Sequence, residues 1–311
     1  TEQITKQIHD KTFQDLNVTV SADHKVVRCA FTHRQRQNVT FDVLEEGKRL
    51  YRQIANPGYP VYGEAKYFVL TSDHPTVFSY GGDFTLFLDC IHNQDLEALK
   101  TYGKECIHSV WMTYNAFFRD VICIAGVRGQ AYGGGFECVL GCDWIIAEAD
   151  AAIGLPESNF GMYPGMGALS FLSRRIGRKK AEKLISTGKI LTGQEAFEQG
   201  LVDEVCPPGE VDAHIDAYIK TQELKPRLSA FFRAGRAYYE HITKEELLDL
   251  VYRWAEAALT LNDKEIYIME RLLARQQKRA DREKAEAAPQ SAEVHPLNKD
   301  AMLPGTTNPY R

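Results

Sequence analysis

Two glutamates, each close behind glycine residues, are the side chains of this sequence best suited to chemistry. Glu137 follows the glycine run 133–135, and Glu157 stands three positions after Gly154. Because glycine has no Cβ, its backbone can approach a bound molecule closely. Two carboxyl groups on one substrate can hold different protonation states and act as acid and base. The spacing therefore predicts acid–base chemistry on a ligand that the glycine backbone holds.

The glycines also offer backbone amides to a carbonyl oxygen. The run 133–135 opens a predicted helix, where the first amides have no intrahelical partner and the helix dipole favours negative charge. The amide of Gly134, together with that of Gly82 in a second glycine loop, would form a two-donor oxyanion hole. Loss of one such donor typically costs about 3 kcal/mol of transition-state stabilisation. Either glycine loop alone is better explained by a tight turn. Two such loops at strand ends, each followed by an acidic residue, favour a catalytic role.

The elements that must position these residues follow from periodicity and turn signals. Buried-type strands are predicted at 65–71 and 121–127, each running into a glycine loop, with a further strand at 144–147. Helices are predicted at 95–118, 164–176 and 178–187, and Thr192, Thr243 and Asn262 match helix-capping signatures. This alternation indicates an α/β fold, in which ligands bind at the carboxyl ends of strands.

Composition excludes several function classes. A formal charge of −5 over 311 residues argues against nucleic-acid binding through bulk electrostatics. The seven scattered cysteines indicate reduced thiols and a cytoplasmic location, and no apolar run is long enough to span a bilayer. Cys138 and Cys142 lie four apart but lack a histidine at ligand spacing, so buried thiols are favoured over zinc. We therefore expect no metal and no cofactor.

Three charged sites have alternative explanations. Asp143 and Glu148 could act as acids, but surface or capping roles explain them better. The basic run 174–180 is more typical of a solvated helix face than of a binding site. It could nevertheless receive a phosphate or an acidic carrier protein.

The order of motifs resembles the crotonase (enoyl-CoA hydratase/isomerase) superfamily. The matching segments are 78–83, 129–137, 142–143, 154–157, 161–167 and 191–202. The resemblance implies a crotonase-type spiral of ββα turns with a helical C-terminal part, usually assembled as trimers or hexamers. It also implies that the Gly82 and Gly134 amides hold a thioester oxygen. Glu137 and Glu157 would then be the acid–base pair of the hydratase branch, which favours water addition or removal over isomerisation alone.

Departures from an ordinary hydratase, in segments 33–38 and 166–175 and in the longer C-terminal part, resemble the diffusible-signal-factor synthases. This narrower resemblance implies a 3-hydroxyacyl chain on acyl carrier protein, dehydrated and then released by thioester hydrolysis as a cis-2-unsaturated fatty acid for quorum sensing. Glu157 would be the base at C2 and Glu137 would assist loss of the C3 hydroxyl, with these roles exchangeable. A sensor-kinase receiver domain is an expected partner.

Two alternatives remain open: an enoyl-CoA hydratase/isomerase of fatty-acid metabolism that acts on CoA substrates, and a crotonase-fold protein whose main role is binding a regulator.

We expect a core over 1–208, a helical region over 209–286 and a tail over 287–311, poorly ordered or packed on a neighbour. For Met166, Leu169, Trp254 and Leu272, plain core packing is about as good an explanation as a pocket role. The predicted substrate pocket comprises Tyr80, Gly81, Gly133, Met166, Leu169, Trp254 and Leu272.

Overall fold

The strands of this protein form two sheets in a computed structural model that describes residues 7–34 and 36–287. The strands are β1 (Gln7–Asp10), β2 (Leu16–Ser21), β3 (Val26–Phe31), β4 (Tyr67–Ser72), β5 (Val77–Ser79), β6 (Ile122–Val127), β7 (Gln130–Tyr132), β8 (Trp144–Glu148), β9 (Ala152–Gly154), β10 (Ile190–Thr192) and β11 (Glu204–Cys206). The larger sheet has the order β1-β2-β3-β4-β6-β8-β11, and the smaller has the order β10-β9-β7-β5.

The larger sheet is parallel from β3 to β11, and β1 and β2 add to it antiparallel. Every residue of β4 and β6 is buried, as expected of parallel strands covered on both faces. Strands β4, β6 and β8 are each followed by a short strand of the smaller sheet, so the chain repeats one strand–strand unit. The predicted α/β spiral is confirmed.

The helices follow and cover these strands. They are α1 (Phe41–Ala55), α2 (Phe84–Asn93), α3 (Leu96–Tyr114), α4 (Gly134–Leu140), α5 (Ala168–Arg175), α6 (Arg178–Thr187), α7 (Gly193–Glu198), α8 (Val211–Leu224), α9 (Pro226–Tyr239), α10 (Lys244–Ala258) and α11 (Asp263–Ala287), with 3₁₀ turns at Ala116–Phe118 and Pro156–Phe160. Helix α10 packs closely on α3, where a Cβ on Gly103 would lie 2.5 Å from Val251 Cγ2. None of the described helices is long and apolar enough to cross a bilayer.

Two predicted helix bounds require correction. The helix expected at 164–176 begins only at Ala168, because the preceding segment contains Pro164 and a Gly167 at φ +110°. The helix expected at 95–118 ends at Tyr114, and three residues with positive φ follow Asn115. The C-terminal part to residue 287 is helical as expected, whereas its division at 208 stays a prediction. The tail predicted for 287–311 lies, beyond its first residue, outside the described residues.

The predicted helix starts are mostly confirmed. Thr192 and Glu195 form a reciprocal capping box, and Asn262 pairs with Glu265 in the same way. At the start of α10, only one of the two hydrogen bonds of a capping box is present. Thr243 caps α10 through the Glu246 amide, while the Glu246 carboxylate binds Arg174 instead of returning to the cap.

Candidate active site

Glu137 lies one turn into α4, at the carboxyl end of β7. The cap residue Gly133 adopts φ +53° and ψ −128°, a conformation that residues with a Cβ avoid. The Glu137 side chain is 1% exposed, and its Oε1 accepts hydrogen bonds from the amides of Met166 at 2.7 Å and Ala168 at 2.9 Å. Two peptide donors stabilise the ionised carboxylate and offset part of the cost of burial.

Glu157 lies in the 3₁₀ turn after β9, with its carboxyl group against the same glycine run. Its Oε1 is 2.5 Å from the position that a Cβ on Gly133 would occupy, so only glycine leaves room for it. Its Oε2 is buried and has no hydrogen-bond partner among the described residues. An unpaired buried carboxyl oxygen favours the protonated acid, because the charged form loses its hydration without compensation.

The two carboxyl groups therefore differ in their tendency to hold a proton. Burial raises the pKa of Glu157, and the negative charge of Glu137 raises it further. Burial also raises the pKa of Glu137, but the amides of Ala168 and Met166 act in the opposite direction. Since two adjacent buried carboxylates resist ionising together, the pair titrates as a unit and holds one proton near neutral pH. We place that proton on Glu157.

The two glycine loops meet beside these carboxyl groups. A Cβ on Gly81 would lie 2.7 Å from the Gly134 nitrogen, and one on Gly134 would lie 3.4 Å from the Gly82 nitrogen. Over residues 7–34 and 36–287, neither the Gly82 nor the Gly134 amide donates a hydrogen bond within the protein. The structure thus brings two unused donors together, which is the arrangement that an oxyanion requires.

An apolar cavity extends from the two carboxyl groups between α2, α3, α10 and α11, with about 60 Å³ of free space. This volume holds a few solvent molecules, so a bound acyl chain requires its walls to move. Trp254 packs against Gly165, where a Cβ would lie 2.5 Å from the indole Cγ. The main apolar lining residues are Phe84, Phe87, Ile91, Phe160, Met162, Met166, Val251, Trp254, Ala258 and Met269.

Most residues predicted for the site, whether as catalytic, oxyanion-hole or pocket residues, line this cavity. Those that do are Tyr80, Gly82, Gly133, Gly134, Glu137, Glu157, Met166 and Trp254. Gly81 lies behind the lining, where a Cβ would meet the Tyr132 oxygen at 2.7 Å. It supports the loop rather than forming the wall.

Two further pocket assignments need correction. Leu169 is 39% exposed and lines a separate surface recess with Tyr163 and Leu250. Its helix starts at Ala168, and successive helical residues point about 100° apart, so Leu169 faces outward when Ala168 faces the core. Leu272 is half-buried against the core, and Met269, one turn earlier on α11, lines the cavity instead.

Sequence reasoning also missed several lining residues. Phe84 and Phe87 follow the N-cap Asp83 at helical spacing, a signal that could have indicated a buried face next to the first glycine loop. Tyr102 and Met269 carry no local signal, because they reach the cavity only through packing of distant helices.

The other candidate residues have structural roles. Asp143 is partly buried, pairs with Arg236 and accepts the Cys123 amide at 2.8 Å. Glu148 is buried and accepts the Gly209 amide at 2.9 Å. The surface role expected for these two acids is therefore wrong, whereas the alternative capping role is retained, since each accepts a hydrogen bond from a backbone amide. Within the part of the chain that the structure describes, no group of three acidic, histidine or cysteine side chains could hold a metal ion.

In the basic run 174–180, the two arginines at the start are paired. Arg174 binds Glu246, and Arg175 binds Asp203. Lys179 and Lys180 are exposed on α6.

Comparison with known proteins assigns the family. The enoyl-CoA hydratase/isomerase family model matches residues 63–286, which include both glutamates and both glycine loops. The fatty acid oxidation complex subunit alpha of Colwellia psychrerythraea is 36% identical over 157 residues, 50% of this chain and 21% of that protein. YngF of Bacillus subtilis, provisionally named an enoyl-CoA hydratase/isomerase, is 43% identical over 107 residues, 34% of this chain and 39% of that protein. The chain thus spans less than two thirds of either relative.

Among solved structures, an enoyl-CoA hydratase from Bacillus halodurans has a similar fold. Its TM-score is 0.69 at 22% identity, and the match covers 83% of this chain and 99% of that one. The family model spans more than half of the chain and includes both Glu137 and Glu157. The protein therefore belongs to the enoyl-CoA hydratase/isomerase family of the crotonase superfamily.

Proposed function

We propose that the protein is a hydratase that adds water across the C2–C3 double bond of an enoyl thioester. The observation that carries this proposal is the asymmetry of the two carboxyl groups. Glu137 accepts two amide hydrogen bonds and is the ionised partner, whereas Glu157 has a bare oxygen and is the protonated partner. Hydration requires one base and one acid on the same substrate, and the resting pair supplies both.

The reaction follows from this resting state. The thioester oxygen accepts the Gly82 and Gly134 amides, which draws electron density from C3. The Glu137 carboxylate removes a proton from water as the water oxygen bonds to C3, and Glu157 delivers its proton to C2. The product is a 3-hydroxyacyl thioester. The proton then resides on Glu137, and proton exchange with solvent restores the starting pair.

Replacing either acid by its amide tests this assignment. We expect Glu137→Gln and Glu157→Gln to fold and to lose at least about 100-fold in the turnover of an enoyl-CoA, since each loses one proton-transfer group. Glu148→Gln is a matched control, because Glu148 is also a buried glutamate that accepts a backbone amide, but at Gly209 rather than in the cavity. Turnover by either variant close to that of the control would contradict the two-acid mechanism.

We further propose that the physiological direction is dehydration of a 3-hydroxyacyl chain on acyl carrier protein, followed by thioester hydrolysis to a cis-2-unsaturated acid. This finer proposal rests on the resemblance of segment 166–175, and of the chain's length, to the diffusible-signal-factor synthases. It requires the minor protonation state, in which Glu157 is ionised and takes the C2 proton. The better-supported hydratase therefore remains the main conclusion.

A basic face on α11 supports a carrier-bound substrate. Arg271, Arg275, Lys278 and Arg282 are exposed at spacings of four, three and four residues, which places them on one side of the helix. Met269 of the same helix lines the cavity, and Lys278 stands nine residues further on, about 14 Å along the axis. An acidic protein docked on this face would present its acyl arm close to the cavity.

Charge reversal separates the two carriers. Arg275→Glu with Lys278→Glu should raise KM for an acyl carrier protein substrate at least about tenfold and leave KM for the matching CoA substrate unchanged. Lys179→Glu with Lys180→Glu, on the exposed start of α6, tests the other basic segment that could receive an acidic carrier protein. A raised carrier KM in that pair alone would move the docking site to α6, and an unchanged carrier KM in both pairs would remove the carrier proposal. Mass spectrometry of the products would show whether free acid is released.

We also propose that the protein self-associates through α9. Large apolar side chains are exposed there, with Phe231 70% and Phe232 58% exposed, and Leu224 at the end of α8 is 82% exposed. Such a cluster typically marks an interface. Phe231→Asp with Phe232→Asp should reduce the mass measured by light scattering to that of one chain. An unchanged mass would remove this surface from the proposal. The receiver-domain partner stays a prediction.

A further inference from the structure

The segment 37–39 is paired along the first glycine loop. The Tyr80 amide donates to the Gln37 oxygen at 2.7 Å, and the Val39 amide donates to the Gly81 oxygen at 2.8 Å. The Asn38 Nδ2 donates to the Gly82 oxygen at 2.9 Å. Three hydrogen bonds over three residues therefore fix the backbone of this loop. Gln37 and Asn38 belong to segment 33–38, which departs from ordinary hydratases in sequence.

This pairing determines the direction of the Gly82 amide. In a trans peptide, the carbonyl oxygen and the amide hydrogen point in opposite directions, and the described chain has no cis peptide. Because the Gly81 oxygen points to Val39, the Gly82 hydrogen of the same peptide points away from it. Residues 37–39, here called the clamp, therefore set the direction of the Gly82 N–H, because they hold the carbonyl oxygen on the other side of the same peptide.

One buried hydroxyl connects the clamp to the residue after Gly82. Tyr102 of α3 is 1% exposed, and its hydroxyl donates to the Val39 oxygen at 2.5 Å. The same hydroxyl accepts the Asp83 amide at 3.3 Å. Burial raises the pKa of this phenol well above its usual range, so the hydroxyl stays a donor. The Tyr102 hydroxyl therefore bridges both strands of the pairing that holds the Gly81–Gly82 peptide.

We propose that Tyr102 is a positioning residue for the oxyanion hole, acting through Val39 and Asp83 on the angle of the Gly82 amide. The proposal rests on the hydratase function. A phenylalanine at this position would fill the same space but remove the hydroxyl that joins the Val39 oxygen to the Asp83 amide, leaving these two groups only the parallel bridge between Val39 and Gly82. Both buried groups would then gain from a shifted backbone, and the shift would move the Gly82 donor out of line.

The expected signature is in kcat rather than in KM. An oxyanion hole stabilises the transition state more than the bound substrate. Full loss of a donor costs about 100- to 1000-fold in kcat, so a misaligned donor should cost roughly 10- to 100-fold. We expect this loss in Tyr102→Phe with KM changed less than about threefold. Because the Tyr102 ring itself lines the cavity, a rise in KM alone would assign it to substrate packing and overturn the proposal.

Tyr62→Phe is the matched control. Tyr62 is fully buried, and its hydroxyl donates to Asp10 Oδ2 at 2.6 Å, outside the cavity lining. Both variants remove one buried phenol hydroxyl and should lower the midpoint of thermal unfolding by a similar amount. Only Tyr102→Phe should lose kcat. Equal kcat in the two variants would contradict a positioning role.

Asn38→Ala tests the same clamp if Tyr102→Phe does not fold, since the Asn38 side chain holds the Gly82 oxygen from a loop. A wild-type kcat in this variant would also overturn the proposal.

A readout independent of turnover is the carbonyl stretching frequency of a carbon-13-labelled acyl-CoA bound to each variant. The wild type should shift it downward, and Tyr102→Phe and Asn38→Ala should reduce the shift. If the wild type shifts the carbonyl but does not hydrate an enoyl thioester, the proposed function fails while the clamp stands. Equal shifts in all variants would contradict the clamp.

Discussion

Gly134→Ala separates the oxyanion hole from simple packing. A Cβ at this position would lie 3.4 Å from the Gly82 nitrogen and 1.9 Å from Met166 Cε. Gly134 is the first residue of α4 and does not have a positive φ, so alanine causes no backbone strain. The overlap is with the end of a flexible side chain, and such overpacking costs about 1–3 kcal/mol of folding stability.

The added methyl group should be far more damaging to catalysis than to stability. It would stand between the two amide donors, where the thioester oxygen must lie. Loss of one donor costs about 2.7–4 kcal/mol, which corresponds to about 100- to 1000-fold in kcat. Thermal unfolding and steady-state hydration of an enoyl-CoA by the same preparation measure the two effects.

The double variant Gly134→Ala with Met166→Ala provides the decisive comparison. Removing the Met166 side chain removes the overlap, so the penalty that Gly134→Ala causes by overpacking should vanish, as measured against Met166→Ala alone. Turnover should stay low, because the methyl group still occupies the space between the donors. Recovery of turnover in the double variant would refute the reasoning, since it would show that displacement of Met166 had caused the loss.

Three further outcomes are expected. The pKa of Glu157 is raised in the folded protein, so the wild type loses stability as pH rises above the ordinary glutamate range and the buried carboxyl group must ionise. Glutamine does not ionise, so the unfolding free energy of Glu157→Gln should increase relative to that of the wild type as pH rises. A difference between the two proteins that does not change with pH would contradict the assignment. Met269→Ala should shift the chain-length optimum toward longer acyl-CoA substrates and cost about 2–5 kcal/mol in unfolding free energy; an unchanged optimum would place Met269 outside the acyl path. Arg236→Ala should cost up to about 3 kcal/mol in denaturant unfolding, since it leaves the partly buried Asp143 carboxylate without its cationic partner, and an unchanged unfolding free energy would show that this pair does not stabilise the fold.

The sequence predicted the parts of the site that local chemistry determines. The glycine run 133–135 forces a strand–turn–helix junction, and the acid that follows must lie beside it. Strands β4 and β6 were predictable because both faces are buried and all their residues except Thr71 and Ser72 are apolar. The three-residue strands of the smaller sheet were missed, because segments this short show no measurable periodicity.

Tertiary contacts account for the remaining errors. Segment 164–167 reads as the start of a helix, but the Met166 and Ala168 amides turn toward the Glu137 carboxylate and the helix begins later. Because α5 begins at Ala168, the side of the helix that carries Leu169 faces away from the cavity. Met269 reaches the cavity only because α11 packs across α2, a contact that no local pattern indicates.

The most direct test of the hydratase proposal is the isotope pattern of the product formed from an enoyl-CoA. The wild-type protein would be incubated with this substrate in deuterated water enriched in oxygen-18, and the product examined by mass spectrometry. We predict a 3-hydroxyacyl thioester with the heavy oxygen at C3 and one deuterium at C2. A product with a migrated double bond and no added oxygen, or recovery of unlabelled substrate, would contradict hydration by the Glu137–Glu157 pair.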